Sequence, residues 1–214
     1  MLKSRTQVGI VGAGPAGLLL GQLLHLKGID SVILECRNHD YVIDRVRAGV
    51  LEQFTVDLMT QMGVGARLHR EGMRHDSVYL SFGGERHRVP LADLTGGKAI
   101  YVYGQNEVVK DLMDARIATG RPLHYEVQNV SVHNIDSSKP AIHYEADGKQ
   151  EELTCDFIAG CDGFHGICRP AKLKYRLSCR MPSRCKRAPT PVCVIRSTVN
   201  CSRTPARTRS ITYS

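Results

Sequence analysis

The residues whose types and spacing could do chemistry begin at Gly12-Ala-Gly14-Pro-Ala16-Gly17, with Glu35 following 18 residues after Gly17. Between a strand and a helix, Gly12 would make the sharp turn and Gly14 would let the backbone approach a pyrophosphate. Gly17 would let the helix pack closely on the strand. The N-terminus of that helix then presents free N–H groups and positive dipole character to phosphate oxygens. A carboxylate at Glu35, ending a second strand, can accept hydrogen bonds from a pair of ribose hydroxyls. The pattern predicts a bound dinucleotide. The same carboxylate would repel a 2′-phosphate, which disfavours NADP at this turn and leaves NAD and FAD open.

Particular elements must hold these residues. Gln7 to Val11 is a short apolar run rich in β-branched residues, Leu18 to Lys27 is apolar and helix-favouring, and Gly28 supplies a left-handed stop. Ser31 to Glu35 reads as a second buried strand, so a parallel βαβ unit is the simplest connection. Val50 to Met62 is an amphipathic stretch, with Leu51, Phe54, Leu58 and Met62 spaced for one helical face. Ser77 to Phe82 and Arg86 to Leu91 alternate as strands and are joined through Gly83-Gly84 as a hairpin. Ala99 to Tyr103 reads as a strand and Asn106 to Ala118 as a helix. Leu123 to Ile135, Ala141 to Ala146 and Glu152 to Ile158 read as further strands, with Asp147-Gly148 as a two-residue turn.

The net charge of +8 is unevenly placed. Through Cys168 there are 17 Lys+Arg against 21 Asp+Glu, whereas Arg169 to Ser214 holds 12 basic residues and no acidic one. Every glycine lies at or before Gly166, and five of the nine prolines come after it. Two compositions are joined there, so residues 1–168 are taken as a partial dinucleotide-binding domain and 169–214 as a basic tail. That tail has little apolar area with which to offset backbone ordering, and it is expected to be irregular or translated out of frame. Its cysteines, Cys179, Cys185, Cys193 and Cys201, contain no CxxC pair and match no zinc module, so free thiols and no metal are expected. Cys36 and Cys161 are expected to pack rather than act as nucleophiles. No secretion signal and no apolar run of roughly 18 residues is present, which makes a cytoplasmic protein without membrane contact the expectation.

A second set of residues chooses among dinucleotides. Gly160-Cys-Asp162-Gly-Phe-His165-Gly166 follows an expected strand and resembles the Asp-Gly motif of the flavoprotein aromatic hydroxylases, where it serves both FAD and the pyridine nucleotide. Arg45-Val46-Arg47-Ala48-Gly49-Val50-Leu-Glu-Gln53 and Tyr101-Val-Tyr-Gly-Gln105-Asn-Glu-Val108 narrow the resemblance to the branch acting on 4-hydroxybenzoate. It covers about Gln7 to Cys168.

The resemblance implies an α/β fold: a Rossmann-like FAD-binding βαβ domain with additional antiparallel β-strands and an irregular C-terminal tail. It implies that Gly12, Gly14, Gly17 and Glu35 hold the ADP half of FAD. Arg45 to Val50 and Gln105 would lie along the riboflavin and pyrophosphate, with Arg47 among the charged contacts. Asp162 belongs to the shared motif, and Tyr41, Arg45, His165 and Arg169 fall where the family meets NADPH or the mobile flavin. Cys36 stands where the family usually has arginine, and Ala16 where serine is frequent, which leaves NADPH against NADH open.

The implied activity is a monooxygenase that uses NAD(P)H and O2 to convert 4-hydroxybenzoate to 3,4-dihydroxybenzoate. A small aromatic substrate and a homodimer are the implied partners, with no nucleic acid. No residue is assigned to the hydroxylation step. The family's later Gly-Asp motif, its phenol-relaying tyrosines and its site for the substrate carboxylate are not found after residue 168. The expectation is therefore a fragment that binds FAD weakly or not at all and does not hydroxylate. A non-catalytic dinucleotide-binding module would share the Gly12 turn but gives no reason for the other two motifs. A nucleic-acid binder acting through the tail lacks the aromatic interleaving such surfaces use.

Overall fold

The computed structural model describes residues 2–171, 192–194 and 211–213. The chain divides into two compact units, Met1–Arg45 with Leu112–Ser197 and Val46–Asp111 with Thr198–Ser214. The first unit opens with β1 (Leu2–Arg5), β2 (Val8–Val11), α1 (Pro15–Leu26), β3 (Ser31–Leu34) and α2 (His39–Asp44). The second holds β4 (Val50–Glu52), α3 (Gln53–Gln61), α4 (Ala66–Glu71), β5 (Met73–His75), β6 (Val78–Phe82), β7 (Glu85–Val89), α5 (Leu91–Thr95) and β8 (Ile100–Val102). Helix α6 (Gln105–Ala118) starts in the second unit and ends in the first. The first unit continues with β9 (Leu123–His124), β10 (Gln128–His133), β11 (Ala141–Ala146), β12 (Lys149–Thr154), β13 (Phe157–Gly160) and β14 (Val192–Val194), and β15 (Ile211–Tyr213) belongs to the second.

The βαβ unit forms as the sequence predicts. β2 and β3 pair in parallel, Val8 opposite Ser31 through Val11 opposite Leu34, within a five-stranded parallel sheet ordered β14-β13-β2-β3-β9. All four residues of β2 are buried, as a central strand covered on both faces requires. On one face, Gly21 of α1 lies against Ile33, and Arg116 of α6 donates to the Ser31 hydroxyl at 3.1 Å and the Ser31 and Pro122 carbonyls at 2.7 and 2.8 Å. Burial, and then Arg121, lower the pKa of this guanidinium to about 10.

The other face carries a four-stranded sheet ordered β1-β12-β11-β10. Val11, Leu34, Ile142, Tyr144, Leu153 and Ile158 are among the residues of the core between the two sheets. The sheets approach closely at Gly9, where a Cβ would sit 2.7 Å from Ile142 Cδ1 and 2.8 Å from Cys155 Sγ. The fold class is thus the expected one: a parallel βαβ sheet with added antiparallel strands.

Several boundaries differ. Val50 to Met62 is not one helix, because Val50–Glu52 pairs antiparallel with Ile100–Val102 before α3 begins. The buried side of α3 is Val56 and Met59, followed by Met62, while Phe54 is 74% exposed. Glu152 to Ile158 is likewise two strands, β12 in one sheet and β13 in the other, parted at Cys155-Asp156, and Leu123 to Ile135 is also two, β9 and β10, in different sheets. The hairpin at Gly83-Gly84 and the turn at Asp147-Gly148 form as expected, each with both residues at positive φ. β1, α2, α4, β5 and α5 had no sequence expectation. Of the tail, the structure describes residues 169–171 and the backbone of β14 and β15. The expectation of irregularity and the reading of the four tail thiols lie otherwise outside the described residues. Among the described residues no helix is long and apolar enough to cross a membrane.

Gly9→Ala is expected to lower the unfolding free energy by about 1–3 kcal/mol through overpacking. Adding Ile142→Val removes one of the two obstructing groups, so in urea denaturation the double variant should lose less than the sum of the two single changes. Strict additivity would show that Gly9 and Ile142 do not meet.

Candidate dinucleotide site

The turn from β2 into α1 is held first by backbone hydrogen bonds. Gly12 N donates to Leu34 O at 2.8 Å, and Cys161 N donates to Val11 O at 2.8 Å. Gly12 has a φ of +104°, and a Cβ there would lie 2.6 Å from Cys161 O, so both conformation and space demand glycine. A Cβ at Gly17 would overlap Gly12 O, so the first turn of α1 can lie on the strand only without a side chain.

Gly14 is the N-cap residue in an extended conformation, and a Cβ there would meet nothing within 4 Å. Pro15 follows at the start of the helix, no side chain caps this end, and its first turn contains no acidic residue. Ala16 and Gly17 lie in that first turn. The mouth is therefore open, and it carries the positive end of a twelve-residue helix.

Glu35 sits at this mouth and is 9% exposed. Its Oε2 accepts from Ala13 N at 2.7 Å, and its Oε1 accepts from Arg37 N at 2.9 Å and from Cys36 Sγ at 3.4 Å. Strand pairing fixes its backbone, with Glu35 N donating to His124 O at 2.8 Å and Val127 N to Glu35 O at 3.1 Å. A carboxylate has about four lone-pair sites, so three protein donors leave room for one more partner. The turn and its acidic neighbour, separated by a helix in sequence, are thus joined by a direct hydrogen bond. An open glycine mouth beside a fixed carboxylate suits the adenosine diphosphate half of a dinucleotide.

The loop after β13 is built on Asp162. Its Oδ2 accepts from Cys168 N at 2.9 Å, and the side chain fills the space that a Cβ on Gly166 would need. Gly163 supplies a φ of +79°. Asp162 thus shapes its own loop, a role the motif match alone did not indicate. Burial first, and then Asp162, raise the pKa of the Cys168 thiol well above its ordinary value. The loop displays Phe164, 71% exposed, with the His165 ring edge-on at 5.0 Å and the Arg169 guanidinium 4.2 Å from the Phe164 ring centre. Phe164 is a further site candidate with no spacing signal in the sequence, since its contacts with His165 and Arg169 arise from the fold of the loop.

Tyr41 lies on α2 with the Arg37 and Arg45 guanidinium groups 5.0 and 5.9 Å from its ring centre. It lines a cleft of about 230 Å³ together with Cys36, Arg37, Asn38, Glu126 and Gln128. Cys36 is exposed here, which corrects its reading as a packing residue. It stands just past the end of β3, where the chain leaves the sheet. Burial, and then Glu35, raise the pKa of its thiol. Cys161 is half-buried, and its Cβ lies 3.3 Å from where a Cβ on Gly17 would be.

In the second unit, Val46, Arg47 and Ala48 are exposed, while Gly49 is half-buried and Val50 is in strand β4. Gly49 O accepts from Tyr103 N at 2.9 Å, and a Cβ on Gly49 would overlap Tyr103 O. Gln105 opens α6, beside Gly104, whose carbonyl accepts from Glu107 N and Val108 N. Between the Val46 to Val50 and Tyr101 to Gln105 stretches, Gly49 thus meets Tyr103 backbone to backbone, next to the Val50–Val102 strand pair. Among the described residues no group of three or more His, Cys, Asp or Glu is arranged to hold a metal ion.

Comparison with known proteins gives this geometry a family. A family model for the FAD binding domain matches residues 5–182. The p-hydroxybenzoate hydroxylase of Acinetobacter baylyi is 48% identical over 169 residues, covering 79% of this chain and 42% of that protein. The dialkyldecalin synthase of Streptomyces rugosporus is 26% identical over 163 residues, covering 75% of this chain and 33% of that protein. Among solved structures, p-nitrophenol 4-monooxygenase PnpA from Pseudomonas putida DLL-E4 superposes with a TM-score of 0.67 at 20% identity, over 79% of this chain and 43% of that one, and shows the same fold. The chain spans less than half the length of each of these proteins. The glycine turn, the carboxylate at its mouth and a family match across residues 5–182 together establish that the chain belongs to the FAD binding domain family.

Proposed function

We propose that this chain carries the ADP-binding portion of an FAD-dependent monooxygenase that uses NAD(P)H and O2 to hydroxylate 4-hydroxybenzoate to 3,4-dihydroxybenzoate. The observation that carries the dinucleotide assignment is the Glu35 carboxylate, hydrogen-bonded at 2.7 Å to Ala13 N in the mouth of an uncapped, open glycine turn, and the choice of FAD rests on the FAD binding domain match over residues 5–182. The reaction rests on the 48% identity to p-hydroxybenzoate hydroxylase. As the chain spans 42% of that protein, the complete activity, its substrate and a homodimeric assembly are assigned by likeness.

When bound, FAD would supply the redox and oxygen chemistry of the reaction. The chain's own residues bind and orient. N–H groups at the start of α1 would meet the pyrophosphate, and Gly14 leaves the space for its close approach. Glu35, keeping its bond to Ala13 N, would accept a ribose hydroxyl on its remaining lone pair. Arg47, Ala48, Gly49, Val50 and Gln105 of the second unit are assigned to the flavin half by resemblance, together with Arg45 and Val46.

His165 and Arg169, with the Phe164 ring between them, offer charge and an aromatic face to a pyridine nucleotide. Tyr41 between Arg37 and Arg45 offers the same two features. The Arg37, Arg45 and Arg169 guanidinium groups favour NADPH as the reductant, with NADH as the alternative. Asp162 holds the loop that presents Phe164, His165 and Arg169 and would act on the nucleotide through that loop.

Glu35→Gln is expected to weaken FAD binding about tenfold, the value of one charge-assisted hydrogen bond. Titration calorimetry of the purified chain would measure it, and equal affinities would remove Glu35 from the site. Arg169→Ala should weaken NADPH binding about three- to tenfold while leaving FAD affinity unchanged. Fluorescence titration with NADPH reads the first and calorimetry with FAD the second, and parallel loss of both would show a folding defect instead.

A further inference from the structure

The second unit contains a cluster of charged groups that the FAD reading does not use. Arg67, on α4, donates through Nε to Asp111 Oδ1 at 2.7 Å, through one terminal nitrogen to the Glu107 carboxylate, and through the other to the Glu107 carbonyl at 2.9 Å. The Tyr103 hydroxyl donates to the second Asp111 oxygen at 2.7 Å, and the Arg67 guanidinium lies 5.7 Å from the Tyr103 ring centre. Lys110 Nζ and Asn106 Nδ2 both donate to Glu107 Oε1, at 3.0 and 2.8 Å. Tyr103 is 4% exposed. Burial first, and then the bond to Asp111, push its phenol up, so it remains a donor at neutral pH. Bonding to Arg67 first, and then to Lys110, holds Glu107 below the usual carboxylate range, so it remains an acceptor.

Such a cluster is more than a surface ion pair, because every strong partner of Arg67 lies on one short stretch of chain. Arg67 grips α6 at two successive turns, Glu107 and Asp111, and Asp111 reaches back to Tyr103 just ahead of the helix. The turn Tyr103-Gly104-Gln105 is thereby closed from behind. Its front edge is Tyr103 N, which donates to Gly49 O at 2.9 Å with no room for a side chain on Gly49. Gly49 and Gln105 are two of the residues assigned to the flavin half.

We propose that Arg67, Asp111 and Tyr103 are positioning residues for the flavin end of FAD: they lock the Tyr103 to Gln105 turn against Gly49 and so preset the backbone which that end meets. The proposal rests on the FAD reading above. None of the three residues touches the cofactor under it. They act by removing conformations that the turn would otherwise lose on binding, which is the general route by which preorganisation raises affinity.

The test compares FAD with ADP, which lacks the flavin end, on the full chain. Wild type, Arg67→Met and the milder Tyr103→Phe are titrated with each ligand, and the fluorescence of bound flavin is recorded. Wild type should bind FAD more tightly than ADP. Arg67→Met should weaken FAD about tenfold and leave ADP within about twofold, and Tyr103→Phe should shift FAD in the same direction by a smaller factor. Bound flavin should become more fluorescent in both variants as its surroundings loosen. The double variant should lose little more than Arg67→Met alone, since both break one network.

FAD affinity unchanged in both variants would overturn the proposal, as would an equal loss for FAD and ADP, which marks a purely structural role. A wild-type chain that binds FAD no more tightly than ADP would overturn the assignment of Gly49 and Gln105 to the flavin, and the proposal with it.

Discussion

At Gly12 three stretches of backbone meet with no space for a side chain. The strand β2 ends there, the carbonyl of Cys161 presses from the loop after β13, and Gly17 brings the first turn of α1 onto the Gly12 carbonyl. The ADP-binding end of the proposed site follows from this crowding. Because the helix lies so close, its uncapped end points into the mouth above the strands. Because the β13 loop lies so close, the segment bearing Asp162, Phe164, His165 and Arg169 is set beside the same strand end. Backbone packing and backbone hydrogen bonds, rather than ion pairs, fix the turn, and the Glu35 carboxylate adds its bond to Ala13 N.

Glu35 shows how a polar residue is kept useful while nearly buried. Its carboxylate is satisfied on three sides by Ala13, Cys36 and Arg37, all within reach because β3 ends level with the glycine turn. A fixed acceptor costs little reorganisation when a ligand hydroxyl arrives, whereas a freely rotating glutamate would lose rotamer freedom at that moment. The second unit uses a different device: there a partly buried arginine draws two acidic side chains of one helix together.

The glycine turn, its flanking strands and helix, the two hairpins and Glu35 were legible in the sequence because each is specified by neighbours a few residues away. Val50 to Met62 misleads for the opposite reason. Leu51 fits a helical stripe by spacing, but its partner is Tyr101 in a distant strand, and that pairing overrides the local period. Phe54, counted as core from the same stripe, points outward. Glu152 to Ile158 looks continuous because both strands are apolar in alternation, and only the packing of two sheets breaks it. At the site, the motif identified Asp162 but not its role, since its bond to Cys168 spans a loop whose shape no spacing rule encodes. Arg67 carried no signal at all: with Glu71 four residues on, it reads as an ordinary solvated helix pair.

The way the chain passes between its two sheets in the first unit has a consequence for how sequence length can vary. β1 runs into β2 across Thr6-Gln7, and β12 runs into β13 across Cys155-Asp156. Both ladders pair residue i with residue i+149, so the two crossings travel side by side in one register. They are stitched at each step, Thr6 N to Thr154 O and both Asp156 N and Phe157 N to Gln7 O, each at 3.0 Å. An added residue in either crossing would turn the following strand over, sending core side chains toward the helices and the reverse. Insertions and deletions are therefore forbidden singly at these two links and permitted only as a matched pair, while the nearby Asp147-Gly148 hairpin can lengthen alone. The sheet junction behaves as a zipper whose two tapes must be cut to equal length.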